Sequence, residues 1–213
     1  MAKPLLIIGT KSWSSWSLRP WLAIREAAFE VEERVIPLRR DGTTDAIHCH
    51  SPSGKVPVLV VDGVPVVESL AICELVAEAV PGLWPADPLA RAVARAASAE
   101  MHAGFAALRR HCPMDVNQRF PRPAMTPAVA ADLERLQTLW RDCRDRYGRD
   151  GPFLFGRFSI ADAMFAPVAS RFVSYDLPRD TTAAAYIEAV MALASMRRWC
   201  AEAALEEPLP RGP

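Results

Sequence analysis

The sequence predicts two domains of different class: an α/β domain over residues 1–80 and an all-α helical bundle over 89–213, joined by a linker at 81–88. Three observations carry this prediction. Residues 5–36 read as strand, helix, strand; two Val-rich runs flank Asp62-Gly63; and residues 81–88 hold three prolines and a glycine, after which every periodic segment is helical. A chain of 213 residues has room for one or two domains at about 150 residues each.

Leu5-Leu6-Ile7-Ile8 is a continuous apolar run closed by Gly9, the pattern of a strand buried on both faces. After a polar loop, the apolar periodicity from Leu18 to Phe29 predicts a helix. Pro20 lacks an amide hydrogen and should stand in the first turn, which puts the cap within residues 16–19 and leaves Ser17 as its one good capping side chain. Val31 to Ile36 reads as a second strand, parallel to the first because a helix crosses between them. An irregular segment follows. Val58-Leu59-Val60-Val61 and Val64-Pro65-Val66-Val67 then flank Asp62-Gly63, a preferred pair for a type I′ hairpin. Pro65 cannot donate to a ladder, so the second of these strands should be an edge. Glu68-Ser69 opens a helix through about Ala79.

Beyond the linker, Leu89 to Arg110 predicts one helix, stopped by Cys112-Pro113. Thr126-Pro127, a cap with proline at the first helical position, opens a helix to about Tyr147-Gly148. Ser159-Ile160-Ala161-Asp162 has the form of a capping box at the head of an apolar helix through Phe172. Helical stretches at 183–193 and 195–205 precede a frayed, Pro/Arg-rich end at 208–213.

Hydrophobic residues make up 51 % and charged residues 23 %, enough apolar mass for a sizeable core. Lys plus Arg and Asp plus Glu number 25 each, which removes the basic footprint that nucleic acid requires. Apolar runs fall short of the roughly 18 residues of a membrane span, and the N-terminus lacks the long apolar stretch and cleavage site of a signal peptide. Neither nucleic acid nor membrane is expected as a partner. Cys49, Cys73, Cys112, Cys143 and Cys200 form no CxxC pair and read as reduced thiols in a cytoplasmic protein. His48-Cys49-His50 lacks a second cluster to complete a metal site, so no metal is expected.

Four segments, in order and spacing, carry a resemblance: Ser14-Ser15-Trp16-Ser17-Leu18-Arg19, Gly54-Lys55-Val56-Pro57, Glu68-Ser69-Leu70-Ala71-Ile72 and Phe158-Ser159-Ile160-Ala161-Asp162. Over nearly its whole length the chain resembles the cytosolic glutathione S-transferases. The serine-bearing loop is most similar to the zeta and phi classes and related bacterial groups, although the zeta signature has a cysteine where this chain has Trp16. The resemblance implies a thioredoxin-like first domain, a helical second domain, glutathione as co-substrate, a small hydrophobic electrophile and a homodimer. It implies attachment of glutathione to that electrophile. The alternatives are a non-catalytic glutathione-binding module of the same fold and a zeta-like isomerase of a small diacid.

The chemistry implied is within reach of one serine. A free cysteine thiol has a pKa of about 8.5, leaving roughly 3 % thiolate at pH 7. Lowering that value by about two units takes about 2.7 kcal/mol. One hydrogen bond to a charged group contributes about 1.5–3 kcal/mol, and a helix N-terminus about 0.3–1 kcal/mol. The serine then acts as a donor to sulfur, not as a nucleophile. Ser14, five residues before Arg19 as in the family pattern, is the first candidate, and Ser15 the second. Serines at a helix start also serve as plain caps and turns, so the accompanying motifs are what favour catalysis.

By the same resemblance Pro57 is cis, and Val56 pairs with the bound tripeptide as an added strand. Lys55 suits a ligand carboxylate, though a loop lysine in water is its plainer reading. Ser69 suits the γ-glutamyl carboxylate at a helix N-terminus and Glu68 its ammonium; both residues also serve ordinary helix initiation. Trp13, Met101, Phe105 and Leu108 are candidates for the electrophile pocket, with core packing as the competing reading. Cys73 reads as core, and Ser159 with Asp162 as a folding cap.

Overall fold

Leu6, Ile7 and Ile8 are wholly buried, as a run apolar on both faces requires, and their strand takes an interior place in a four-stranded sheet. The structure, a computed structural model, describes residues 3–207. The first domain runs β1 (Leu5–Gly9), α1 (Ser15–Glu26), β2 (Glu32–Ile36), α2 (Thr43–His48), β3 (Val58–Val61), β4 (Val64–Val67) and α3 (Ser69–Ala79). The sheet order is β2-β1-β3-β4. β1 pairs parallel with β2, Leu5 opposite Glu32, and antiparallel with β3, Ile7 opposite Val58. Pro65 lies on edge strand β4, opposite Val60. Asp62 and Gly63 have φ of 48° and 82°, the left-handed pair that a type I′ turn needs. This is a thioredoxin-like domain.

The second domain is helical among the described residues: α4 (Pro88–Ala103), α5 (Ala106–His111), α6 (Pro127–Tyr147), α7 (Ile160–Ser174), α8 (Thr181–Ala192) and α9 (Ala194–Ala203). Asp87 and Thr126 cap α4 and α6, accepting the N–H of Ala90 and Val129. At the head of α7, the buried Asp162 carboxylate accepts the Ser159 N–H at 2.8 Å, the Ser159 hydroxyl at 2.9 Å and the Leu154 N–H at 3.1 Å. α7 is buried along almost its whole length. One apolar core runs from the sheet through Leu18, Trp21 and Ile72 to Trp140, Phe165 and Trp199, so it spans both domains. Ile7, Ile36, Ile47 and Val58 form a smaller cluster on the other face of the sheet.

Three elements depart from the sequence reading. First, α1 begins at Ser15, with Ser14 at its N-cap and Ser17 inside its first turn. Pro20 therefore stands beyond that turn, where it removes the single helical bond to the Trp16 carbonyl. Second, part of the irregular segment after β2 forms the short α2, opened by Gly42 at a φ of 77°. Third, the helix expected over 89–110 breaks at Gly104-Phe105. A Cβ on Gly104 would lie 2.8 Å from the Glu100 carbonyl oxygen, and Phe105 is left-handed at a φ of 58°. The stretch at 208–213 lies outside the described residues.

Candidate functional site

The strand directions bring four loops to one end of the sheet: those leaving β1, β2 and β4, and the one entering β3. They carry Ser14, Leu38, Glu68-Ser69 and Lys55-Val56-Pro57. Three of the sequence motifs thus share an edge, beside the N-termini of α1 and α3.

The Ser14 side chain makes no capping bond to α1. Its buried hydroxyl instead donates to the Ser17 hydroxyl at 2.7 Å, and Ser17 Oγ accepts the Gly9 N–H at 3.1 Å. Ser17 is therefore not the helix cap; its hydroxyl is taken up tying the end of β1 to α1. Ser15 is the first helical residue and is half-buried.

The second domain grips the serine loop. The Glu206 carboxylate accepts the Lys11 N–H at 2.5 Å, the Ser12 N–H at 2.9 Å and the Ser12 hydroxyl at 2.8 Å. The Val116 N–H donates to the Ser12 carbonyl, and Asn117 bridges Ser12 Oγ to the Ala203 carbonyl. Trp199 Nε1 donates to the Lys11 carbonyl at 2.9 Å. The buried Lys11 ammonium faces the Trp21 and Trp199 rings at 5.4 and 5.5 Å and pairs with Glu33 and Glu202. Burial raises the Glu33 pKa, but donors from Lys11, Trp21 and Arg25 outweigh it and hold the carboxyl below its ordinary range.

The Val56–Pro57 peptide is cis. Gly54, at a φ of 65°, sits where a Cβ would come within 2.7 Å of His48 Cε1. Lys55 is exposed, with its N–H on Ser51 Oγ. Glu68 has a φ of 81° and pairs its carboxylate with His102 Nε2 at 2.7 Å. Ser69 is fully buried, and its hydroxyl has no hydrogen-bond partner among the described residues. Beside these residues Trp16 packs edge-on to His102 at 5.0 Å, and the Arg19 and Arg109 guanidiniums stack on its ring at 4.2 and 5.2 Å. Arg19 is buried with its Nε and one Nη unpartnered, and burial, with repulsion from Arg109 and Arg171, lowers its pKa to about 9. Burial lowers the His102 pKa too; Glu68 opposes this, while Arg19 and Arg109 reinforce it.

A cavity of about 440 Å³ opens against the serine loop, lined by Thr10, Trp13, Ile36, Leu38, Arg40 and Glu206 among others. Trp13, the neighbour of Ser14, faces Arg39 at 4.3 Å. Met101, Phe105 and Leu108 do not line it; all three are buried in the interdomain core, because the break after α4 turns that region inward. Cys73 is core as well, its thiol pushed up to about 12 by burial. Among the described residues no group of three His, Cys, Asp or Glu side chains could hold a metal ion, and no helix is long and apolar enough to cross a membrane. His102 and Glu206 escaped sequence reasoning, since nothing in their surroundings in the chain signals a contact with Glu68 or with Lys11-Ser12.

Among curated proteins, maleylacetoacetate isomerase of Rattus norvegicus is 28 % identical over 171 residues, covering 78 % of this chain and 76 % of that protein. A probable maleylacetoacetate isomerase of Caenorhabditis elegans is 36 % identical over 105 residues, 48 % of either chain, so the chain spans about half the length of that relative. Among solved structures, a glutathione transferase homologue from Burkholderia with bound glutathione has the same fold, with a TM-score of 0.71 and 23 % identity over 97 % of this chain and 100 % of that one. Glutathione transferase Omega 3C from Trametes versicolor gives a TM-score of 0.71 at 21 % identity, over 93 % of this chain and 89 % of its own. The family model for the glutathione S-transferase N-terminal domain matches residues 13–79, and that for the C-terminal domain matches 90–202. The two matches take in Ser14, strands β2 to β4 and nearly all of the helical domain, and the chain belongs to the glutathione S-transferase family.

Proposed function

We propose that this chain is a glutathione transferase in which the Ser14 hydroxyl stabilises the thiolate of bound glutathione. The observation that carries the reading is the buried Ser14 hydroxyl, uncommitted to capping, at the same end of the sheet as a Ser69 hydroxyl that has no partner among the described residues. A buried polar group without a partner calls for a ligand or water to satisfy it. Ser69 and the N-terminal amides of α3 would donate to the γ-glutamyl carboxylate, Glu68 would pair with its ammonium, Val56 with the tripeptide backbone next to Pro57, and Lys55 with a remaining carboxylate. The thiol releases its proton to solvent, Ser14 donates to the sulfur anion, and Ser15 is the alternative donor. The sulfur lone pair forms a C–S bond to the electrophile as the carbon–halogen bond breaks and halide leaves. Trp13 and its apolar cavity suit a small hydrophobic electrophile. The family likeness supports a homodimer and a cytoplasmic location.

The test is a calorimetric titration of the purified chain with glutathione, followed by conjugation of a generic aryl halide. Binding with turnover supports the reading. Binding without turnover over a broad electrophile panel points to a non-catalytic module, and no binding overturns the assignment. A second reading, glutathione-dependent isomerisation of a small diacid, draws on the names of the curated relatives and on the Arg19 and Arg109 guanidiniums flanking Trp16. Neither arginine lines the cavity; Arg40 does, beside Asp41 and Glu206, and the mainly apolar lining around Trp13, Ile36 and Leu38 favours conjugation. Faster turnover of a maleyl-type diacid than of any aryl halide would reverse that preference.

A further inference from the structure

We propose that Ser17 is a positioning residue: it turns the Ser14 hydroxyl toward sulfur, forming with it a two-link relay anchored on the Gly9 N–H. This inference rests on the transferase reading above and deepens it. Ser17 Oγ accepts from both Ser14 Oγ, at 2.7 Å, and the Gly9 N–H, at 3.1 Å, and both bonds are buried. A hydroxyl carries one proton and two acceptor sites. Ser17 thus accepts twice, and its own proton has no acceptor among the described residues. In this arrangement the Ser14 proton is committed to Ser17 and is unavailable to a ligand.

A sulfur anion arriving beside Ser14 reverses the relay without moving a heavy atom. Ser14 rotates its proton toward sulfur, and Ser17 rotates its idle proton onto the Ser14 oxygen. The Gly9 N–H keeps holding Ser17. No O–H bond breaks; two hydroxyls change direction. The series Gly9 N–H, Ser17 O–H, Ser14 O–H, sulfur then runs donor to acceptor throughout, and each bond polarises the next. A purely structural role accounts for the Gly9 bond but leaves the Ser14 bond unexplained. The N-cap is the position where a serine side chain ordinarily stabilises a helix by about 1 kcal/mol, yet Ser14 makes no such bond and points at Ser17 instead.

The experiment titrates glutathione bound to the full chain by the ultraviolet absorbance of its thiolate, in the parent and in Ser14→Ala, Ser17→Ala, Ser17→Thr and Ser17→Val. Thr and Val are equal in shape, so this pair separates the hydroxyl from packing even if Ser17→Ala fails to fold. Ser17→Ala and Ser17→Val are expected to cut the thiolate fraction about threefold below the parent midpoint, the scale of one polarising bond, with Ser17→Thr restoring it. Glutathione affinity near pH 5.5, where the thiol form binds, should stay within about twofold, and above pH 9, where the thiolate binds, it should fall by the same factor of about three. If Ser14→Ala raises the midpoint while Ser17→Val matches Ser17→Thr, Ser17 is only a tie between β1 and α1, and the relay alone falls. If the parent leaves the thiol of bound glutathione unperturbed, the transferase reading and the relay fall together.

Discussion

Removing the Ser14 hydroxyl should change the pH dependence of conjugation rather than scale it. If the parent holds glutathione near a thiol pKa of about 6.5, two units below a free thiol, about half is thiolate at pH 6.5. In Ser14→Ala the α1 N-terminus still acts on the sulfur, contributing about 0.3–1 kcal/mol, which leaves the pKa at about 7.8–8.3. The thiolate fraction at pH 6.5 then falls roughly ten- to thirty-fold. A less acidic thiol is also the better nucleophile, by about 0.4–0.5 log unit per unit of pKa. The rate therefore falls by only about three- to five-fold at pH 6.5, and the variant overtakes the parent at about pH 7.5 and is roughly four- to five-fold faster by pH 9, where both are mostly ionised. Initial rates with an aryl halide at saturating glutathione, between pH 6 and 9, read this crossing directly. A loss by the same factor at every pH would refute the donor role, and the crossing appearing in Ser15→Ala instead would move that role by one residue.

The remaining predictions concern the residues that hold the site. Asp162→Ala removes three buried acceptor bonds at the head of α7 and should cost about 3–4 kcal/mol in denaturant unfolding; a cost below about 1 kcal/mol would show that the capping box does not anchor the domain. Burial pushes the Asp162 pKa up to about 6 from its ordinary 3.8, so the native state binds this proton more tightly than the unfolded chain. Stability should therefore fall as pH rises from about 4 to about 6 and then level off, and Asp162→Asn should abolish that slope in thermal melts. His102, neutral at pH 7 because burial lowers its pKa, gains a proton on acidification. Its cation then competes with a ligand ammonium for Glu68, flanked by Arg19 and Arg109, so glutathione affinity by calorimetry should drop from pH 7 to 5, and His102→Gln should flatten that dependence. Glu206→Ala releases the Lys11 and Ser12 amides, which should exchange hydrogen about tenfold faster or more, with kcat/KM falling in parallel; unchanged exchange would mean that the neighbouring contacts hold the loop unaided.

What the sequence made legible is what local chemistry determines. Asp62-Gly63 supplies the two left-handed residues of its own turn, Thr126-Pro127 fits the first turn of its own helix, and Ser159 and Asp162 cap across three residues. The start of α1 was misread for the opposite reason. Ser17 is a good capping side chain by type, but Gly9, eight residues earlier, claims its hydroxyl. The break at Gly104-Phe105 hides inside an Ala- and Arg-rich run of high helix propensity, where burial of Phe105 overrides the local preference. Lys55, Val56, Glu68 and Ser69 stand out as candidates by motif order, whereas the unpartnered state of Ser69 among the described residues is a property of packing alone.

The grip on the serine loop also explains why the site needs both domains. Ser14 lies two residues after Ser12, and the acceptors of the Lys11 and Ser12 amides and the donors to their carbonyls all come from residues 116–206. Within its own domain the loop keeps chiefly the Thr10 carbonyl, which accepts the Ser14 N–H, the Ser14–Ser17 hydroxyl pair, and the Lys11–Glu33 ion pair. Backbone donors taken from water without a partner cost about 1–3 kcal/mol each, so a first domain severed at the linker would turn Lys11 and Ser12 out toward solvent. The Ser14 oxygen would then lose the fixed place beside Ser17 from which, in the proposed relay, its hydroxyl turns to sulfur. Through Glu206, Trp199 and Val116 the helical domain thus sets the geometry of the loop that carries the first domain's own serine.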